Sequence, residues 1–263
     1  MSTDAPAPPT SPSQAAPAQG WTRDELAANP HASEQKAEKV RAMFASIAKA
    51  YDLNNRLHSF GRDAAWRRRT VRLAEVKPTD RVLDVACGTG ELTRAFRWTT
   101  DAERVVGLDY TAEMLEIARA KRVRPGVEYV QGDATTLPFE DGSFDVVSIA
   151  FGIRNVQAPA RAFAEFRRVL RPGGRLLVLE FSRPKNPIVR AINDFYSGWL
   201  MPRTATLISG DTTGAYYYLP RSVESFLSPE QLGRMALDAG FVGVAFTPMT
   251  CGIVTITRAV VPA

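Results

Sequence analysis

The chain predicts an α/β fold: a Rossmann-like, seven-stranded, mostly parallel sheet with helices on both faces and an antiparallel last strand pair. Three observations predict it. Short apolar runs alternate with amphipathic stretches from residue 81 to residue 181, and strands that alternate with helices build parallel sheets. The first apolar run is broken by Gly88-Thr-Gly90 just before a helical pattern, which is where open α/β sheets place a ligand. After Gly240 two strand-like runs follow each other with no helix between them, so they close the sheet as antiparallel neighbours.

The elements follow in order. Residues 1–20 are rich in Ala, Pro, Ser and Thr, with Asp4 the only charge. Such a composition buries too little apolar surface to order itself, so 1–32 is expected to be a disordered Ala/Pro-rich tail and 33–263 a single domain. From Ser33 a helical stripe of Val40, Met43, Phe44 and Ile47 runs into Tyr51-Asp-Leu-Asn-Asn55 and Leu57-His-Ser-Phe-Gly61. A second helix carries Trp66, Val71 and Leu73 and ends before Pro78, making 33–78 a helical lid. Strands are expected over 81–86, 104–109, 127–131, 144–150 and 175–181, with helices over 91–98, 112–121 and 159–170. Thr111 stands at the N-cap of the second of these helices. Residues 183–228 hold Pro184, Pro187, Pro202 and Pro220 among scattered aromatics with no clean period, and read as a substrate-covering insertion. Ser228-Pro-Glu-Gln231 opens a helix over 229–239 as a capping box, and strands 242–248 and 252–259 finish the chain.

Composition narrows the class. Apolar residues make up 45% and charged residues 23% of the 263-residue chain, as in globular proteins. No apolar run is long enough to cross a membrane, and no secretory signal precedes the domain, so the expected setting is cytoplasmic, open to a peripheral place at a membrane. Cys87 and Cys251 form neither a metal-ligand pattern nor a disulfide framework; no metal is expected. The net charge of +5 permits contact with nucleic acid or an anionic membrane surface and decides neither.

The chemistry of the glycine turn separates two cofactors. Dinucleotides place a pyrophosphate on the helix N-terminus and favour a third small residue; here that position is Thr93, and Glu91 in the first turn repels phosphate. S-adenosyl-L-methionine carries a sulfonium and an ammonium that acids suit, and a carboxylate that backbone N–H groups suit. Asp109 ends the second strand and fits a ribose diol in either case. The balance favours S-adenosyl-L-methionine.

Several motifs together resemble the menaquinone/ubiquinone C-methyltransferase family, of the class I S-adenosylmethionine-dependent methyltransferases. They are Leu83-Asp-Val-Ala-Cys-Gly-Thr-Gly90, Asp109, Gly132-Asp-Ala-Thr-Thr-Leu-Pro138, Tyr51-Asp-Leu-Asn-Asn55, Ser59-Phe-Gly61 before Trp66, Phe151-Gly-Ile-Arg-Asn-Val156, and Arg168 to Ser182. The resemblance spans about 34–258. It implies methylation of a ring carbon of a reduced polyprenyl quinone precursor, demethylmenaquinol first and the ubiquinone-pathway benzoquinol second. It departs from the family at Asp133, where Asn is frequent, and at Ala150, where Ser is frequent.

The same resemblance assigns roles. Gly88, Thr89 and Gly90 cradle the methionine part of the cofactor, and Asp84 receives its ammonium or simply caps the turn. Asp109 takes the ribose, Asp133 with Ala134 the adenine edge, and Ala150 a backbone contact. Arg154 and Asn155 stand at the catalytic edge of the sheet. Arginine stays charged at ordinary pH, so Arg154 is expected to stabilise a phenolate or else to bond loop carbonyls. Tyr51, Asp52 and His58 are the candidates for a base, with a lid role as the alternative for the first two. Phe195, Trp199, Leu200 and Met201 line an isoprenoid groove or form core. Arg62, Arg67, Arg68, Arg69 and Arg72 rest on anionic lipid or form a solvated face. The partners expected are the quinol and a membrane surface, with a homodimer left open and no nucleic acid.

Overall fold

The computed structural model describes residues 21–27 and 29–263. The sheet order is β3-β2-β1-β4-β5-β7-β6, with β1 Arg81–Val85, β2 Arg104–Asp109, β3 Val127–Gln131, β4 Phe144–Ala150, β5 Leu170–Phe181, β6 Val242–Met249 and β7 Val254–Val260. Only β7 runs against its neighbours, pairing antiparallel with both β5 and β6. The strand order reverses between β1 and β4, which pair in parallel. That seam is the switch point where sheets of this kind open a ligand crevice.

Helices α4 Glu91–Thr99, α5 Ala112–Ala120, α6 Pro159–Val169 and α10 Pro229–Asp238 cover the two faces. Each sheet face has its own core: one gathers Phe144, Phe163, Phe166 and Leu176, the other Trp66, Phe96, Leu177 and Ile256. The Ser228–Gln231 capping box forms as expected. Thr111 does stand at the N-cap of α5, but its side chain accepts no capping hydrogen bond. Its backbone N–H instead donates to Asp109 at 2.8 Å.

Two sequence expectations change. The 1–32 tail is corrected at its C-terminal end; residues 1–20 lie outside the described residues. Helix α1, Arg23–Ala27, forms there, and Trp21 and Leu26 are buried in a third core with Met43, Ile47 and Tyr218. Trp21 stacks on Tyr218 with ring centroids 4.7 Å apart, and Glu25 pairs with Lys39 of α2, Lys36–His58. One tryptophan and one leucine offer too weak a period to be read as helix, yet they complete an apolar pocket.

The stretch 183–228 is helical: α7 Pro187–Phe195, a π-helical turn Tyr196–Leu200, α8 Met201–Ser209 and α9 Ala215–Glu224. Pro187 and Pro202 lie in first turns, where the missing N–H costs nothing. Along α7 the apolar Ile188, Ile192 and Phe195 recur at helical spacing, but none of the residues of α7 is buried, so this stripe faces no core. No helix among the described residues is long and apolar enough to cross a membrane.

At the seam lies Asp84, which is 1% exposed. Thr93 Oγ1 of α4 donates to one of its oxygens at 2.7 Å and Ser148 Oγ of β4 to the other at 2.9 Å. Burial pushes its pKa up to about 6 against the pull of these two donors. A carboxyl raised in the folded state is favoured neutral, so its support is complete at low pH and is lost as pH rises through about 6. Asp84→Asn stays neutral throughout. The difference in unfolding free energy, variant minus wild type, should rise by about 3 kcal/mol between about pH 4 and about pH 8. Denaturant titrations of both proteins across that range measure it, and a flat difference would show that Asp84 ionises normally.

Candidate active site

Two cavities meet at the carboxyl end of the sheet. The smaller, about 120 Å3, is lined by Gly88, Asp109, Met114, Asp133, Ala134 and Ala150 among others. The larger, about 1070 Å3, lies under the helical cover and is lined by residues of α2, α3 (Arg62–Ala74), α8 and α9. Phe44, Tyr51 and Phe151 line both, and so form the partition between them.

The backbone at this partition is unusual. Ala86, after β1, has φ of 51° and Phe151, after β4, has φ of 56°, values that cost a non-glycine residue about 1–3 kcal/mol each. The two strand ends approach so closely that a Cβ on Gly152 would lie 2.6 Å from the Ala86 Cβ. Strain held on both sides of one crevice is a mark of a functional edge.

The smaller cavity has donors and walls that fit an adenosyl group. Asp109 is buried and its pKa is raised by that burial, against backbone N–H donors from Thr111 and from Gly88. The Gly88 N–H donates at 2.7 Å. A carboxylate of this kind accepts from a diol. Leu108, Met114, Ala134 and Val156 supply apolar walls, and Asp133 stands beside Ala134 with its own Oδ1 taken by the Thr135 N–H at 2.7 Å. Gly88 has φ of +56°, and a Cβ there would meet nothing nearer than Tyr51 Cε1 at 4.0 Å. Bare backbone therefore faces the gap between turn and lid. A volume of about 120 Å3 is smaller than the ~300 Å3 typical of ligand sites, so a cofactor held here extends past the partition toward the larger cavity.

Several predicted residues stand elsewhere than expected. Asp84 does not line the cavity; both its oxygens are held by Thr93 and Ser148, so its part is to tie β1, β4 and α4 together. Thr89 and Gly90 also lie off the cavity lining. Thr89 Oγ1 donates to Asp52 at 2.6 Å, and Gly90 is the left-handed N-cap of α4. Asp52 is not a free base: Lys121 Nζ lies 2.5 Å from it and 2.8 Å from Glu91, and also donates to the Thr89 carbonyl at 2.9 Å. This ammonium fastens α2 across the glycine turn. It also pairs with Glu91, which meets Arg94 as well.

His58 is likewise occupied, with Nδ1 at 2.9 Å from the Asn54 carbonyl and Nε2 at 2.9 Å from Thr204 Oγ1 of α8. It joins α2 to α8 on the wall of the larger cavity. Tyr51 reaches both cavities, and its hydroxyl has no hydrogen-bond partner among the described residues. Cys87 is inert, burial pushing its thiol well up.

Arg154 is 5% exposed and lines the larger cavity. Its Nη1 donates to Glu180 Oε1 at 2.6 Å and to the Phe151 carbonyl at 2.8 Å. The charge is thus matched by Glu180, and the bond to the Phe151 carbonyl is the loop-carbonyl contact expected as the alternative to phenolate stabilisation; Nη2 has no hydrogen-bond partner among the described residues. Asn155 lines the smaller cavity, donating to Phe151 O at 3.3 Å and accepting from the Tyr218 hydroxyl at 3.0 Å. The basic cluster is divided: Arg67 is buried and paired with Asp63 at 2.5 Å, whereas Arg62, Arg68 and Arg72 are exposed. Phe195, Trp199 and Leu200 are exposed at 62%, 50% and 38% and are neither core nor groove; Met201 is buried on the cavity wall.

Sequence reasoning missed Lys121, Trp21, Tyr218, Lys36 and Glu180. Lys36 is 2% exposed and donates to the Val156 carbonyl at 2.7 Å, with its pKa lowered to about 8 by burial and by Arg154. Glu180 had a signal, an acid within the apolar run Leu176 to Phe181, the same signal that singled out Asp84. Lys121 and Trp21 had none beyond composition.

A seven-stranded sheet with a switch-point crevice, a buried acid at the end of β2, a bare glycine turn and an apolar slot is the fold of a class I S-adenosylmethionine-dependent methyltransferase. Solved structures share the fold. A Haloferax volcanii methyltransferase in complex with the Trm112 activator superposes with TM-score 0.62 at 20% identity, over 84% of this chain and 98% of its own. Phosphoethanolamine N-methyltransferase 2 of Haemonchus contortus, solved with phosphomonomethylethanolamine and S-adenosylhomocysteine, gives TM-score 0.54 at 19% identity over 73% of this chain and 51% of its own. The particular family is set by sequence: the ubiE/COQ5 methyltransferase family profile matches residues 32–261, and the chain belongs to that family. Among its relatives are the proteins named ubiquinone/menaquinone biosynthesis C-methyltransferase UbiE from Ectopseudomonas mendocina, 45% identical over 87% of this chain and 91% of the relative, and from Shewanella piezotolerans, 43% identical over 86% and 92%.

Two substitutions test the cofactor side by calorimetric titration with S-adenosylmethionine. Gly88→Val forces a β-branched residue into positive φ and should weaken binding about a hundredfold. Lys121→Met removes the clasp on α2 and should weaken it roughly tenfold; unchanged affinity would show that the lid is held by other contacts.

Proposed function

We propose that this methyltransferase adds a methyl group to a ring carbon of a reduced polyprenyl quinone precursor, demethylmenaquinol being the first choice. The benzoquinol of ubiquinone synthesis, 2-methoxy-6-polyprenyl-1,4-benzoquinol, is the alternative, and the names of the relatives cover both pathways. The observation that carries the reading is the larger cavity, about 1070 Å3, walled by aromatic side chains and touched by two buried guanidinium groups, Arg67 paired with Asp63 and Arg154 paired with Glu180. It is large enough for a bicyclic ring with part of an apolar tail, and it abuts the cofactor cavity at Tyr51 and Phe151.

Bound S-adenosylmethionine supplies an electrophilic methyl on a positively charged sulfur. The protein's task is to make one carbon of an uncharged ring nucleophilic and to aim it. Electron density reaches a ring carbon from an adjacent oxygen only when that oxygen approaches phenolate. With Asp52 and His58 fastening helices, the group best placed to favour a phenolate is Arg154. Glu180 fixes its orientation through Nη1, leaving the remaining edge for a substrate oxygen. Sharing the charge with Glu180 weakens that pull but holds the guanidinium rigid, which positioning requires. Tyr51 can donate a further hydrogen bond at the partition.

Arg154→Lys keeps a cation and a partner for Glu180, so folding is retained. It should lower kcat about a hundredfold while leaving the dissociation constant for S-adenosylmethionine within about threefold. Mass spectrometry of products formed from demethylmenaquinol and from the benzoquinol, each with and without reductant, identifies the acceptor. Equal rates on oxidised and reduced substrate would overturn the phenolate mechanism.

A further inference from the structure

The most apolar surface among the described residues lies on the helical cover of the larger cavity. Ile188 is 70% exposed, Ile192 66% and Leu207 85%. With Phe195 and Trp199 the spacing 188, 192, 195, 199 is that of one helical stripe, and here the stripe faces outward. The Phe195 and Trp199 rings stack 5.4 Å apart. Beside it, Leu53, Leu57 and Phe60 at the end of α2 are also exposed, Phe60 at 77% and in ring contact with Tyr196 at 5.6 Å. A contiguous patch of this kind marks an interaction site.

Its charges choose the partner. Arg56, Arg62 and Arg203 are exposed and Arg190 half-buried around the patch, and none has a carboxylate within salt-bridge distance among the described residues. Arg203 lies over the Trp199 ring at 4.7 Å. The acid on the patch, Asp194, faces Arg183 at 4.0 Å. Apolar residues at the centre with basic residues at the rim are the pattern of a helix lying in an anionic lipid interface. The same segment connects the patch to the cavity: Asn193, Asp194, Tyr196, Gly198, Met201 and Arg203 line the larger cavity, while their neighbours Ile192, Phe195 and Trp199 face out.

We infer that α7, the π-helical turn and α8, with the end of α2, dock on the surface of an anionic bilayer and set the larger cavity over it. An apolar tail could then stay among the acyl chains while its ring enters the protein. The purpose assigned to docking rests on the quinol reading; the docking itself does not.

The test is flotation of the full chain with vesicles that contain no quinol, either phosphatidylcholine alone or phosphatidylcholine with phosphatidylglycerol. The protein should float with the anionic vesicles and much less with the neutral ones, and added salt should release it. Ile188→Asp with Ile192→Asp, and separately Leu207→Asp, should weaken binding about tenfold. None of these three lines the cavity, so methylation of a short-chain, water-soluble quinol should be unchanged in both variants, which also reports that they are folded. Wild-type binding retained in both variants would overturn the proposal. So would wild-type dimers in lipid-free solution that become monomers in the variants with vesicle binding unchanged, since the patch would then belong to a second copy. Loss of vesicle binding on deleting residues 1–20, with none in the aspartate variants, would overturn it as well. Failure to methylate any quinol, with vesicle binding intact, would sink the substrate reading and leave the docking surface standing.

Discussion

The carboxylate of Asp84 is the constraint on which the site depends. A charged group at 1% exposure is tolerated only where each oxygen is satisfied, and the two donors come from different elements, Thr93 of α4 and Ser148 of β4. Meeting that need fixes the first strand, its neighbour across the switch point and the helix that leaves the glycine turn in one arrangement. The strained Ala86 and Phe151 backbones lie just beyond it. The smaller cavity opens there, lined by Ala86 and Gly88 after β1 and by Ala150 and Phe151 at the end of β4.

A second polar cluster does the same for the lid. Asp52 and Glu91 converge on Lys121, so α2 is laid over the turn by charge rather than by apolar packing alone. Farther along α2, Asn54 donates to the Tyr216 hydroxyl at 2.7 Å and His58 reaches Thr204. Polar contacts thus fasten α2 along its cavity-facing length, while the apolar side chains between them shape the wall. Residues that look catalytic by type alone, an aspartate and a histidine, are here fasteners.

Much of this was legible in the sequence, and the rest was illegible for identifiable reasons. The sheet could be read because β1, β2, β4 and β5 are largely buried runs, with amphipathic helices between most of the successive strands, and the Gly88 turn because only certain residues follow such a strand. Asp109, Asp133, Ala134 and Ala150, which the motifs assign to the cofactor, line the smaller cavity. Asp84 was legible as an acid inside a buried strand, but strand alternation does not reveal its Thr93 and Ser148 partners. Lys121 escaped because the acids it joins are 30 and 69 residues away in the chain. Helix α7 escaped because the prolines and scattered aromatics of 183–228 mask its short stripe of Ile188, Ile192 and Phe195.

Trp21 carries a consequence for the boundaries of the protein. Family similarity begins at residue 32, yet Trp21 and Leu26 line the larger cavity, and the Trp21 ring leans on Tyr218, which in turn holds Asn155. Part of that cavity's wall therefore lies outside the segment that the family profile matches. A chimera joined at residue 32 would exchange Trp21 and Leu26, and so reshape one side of the chamber, while keeping Gly88, Arg154 and Asn155.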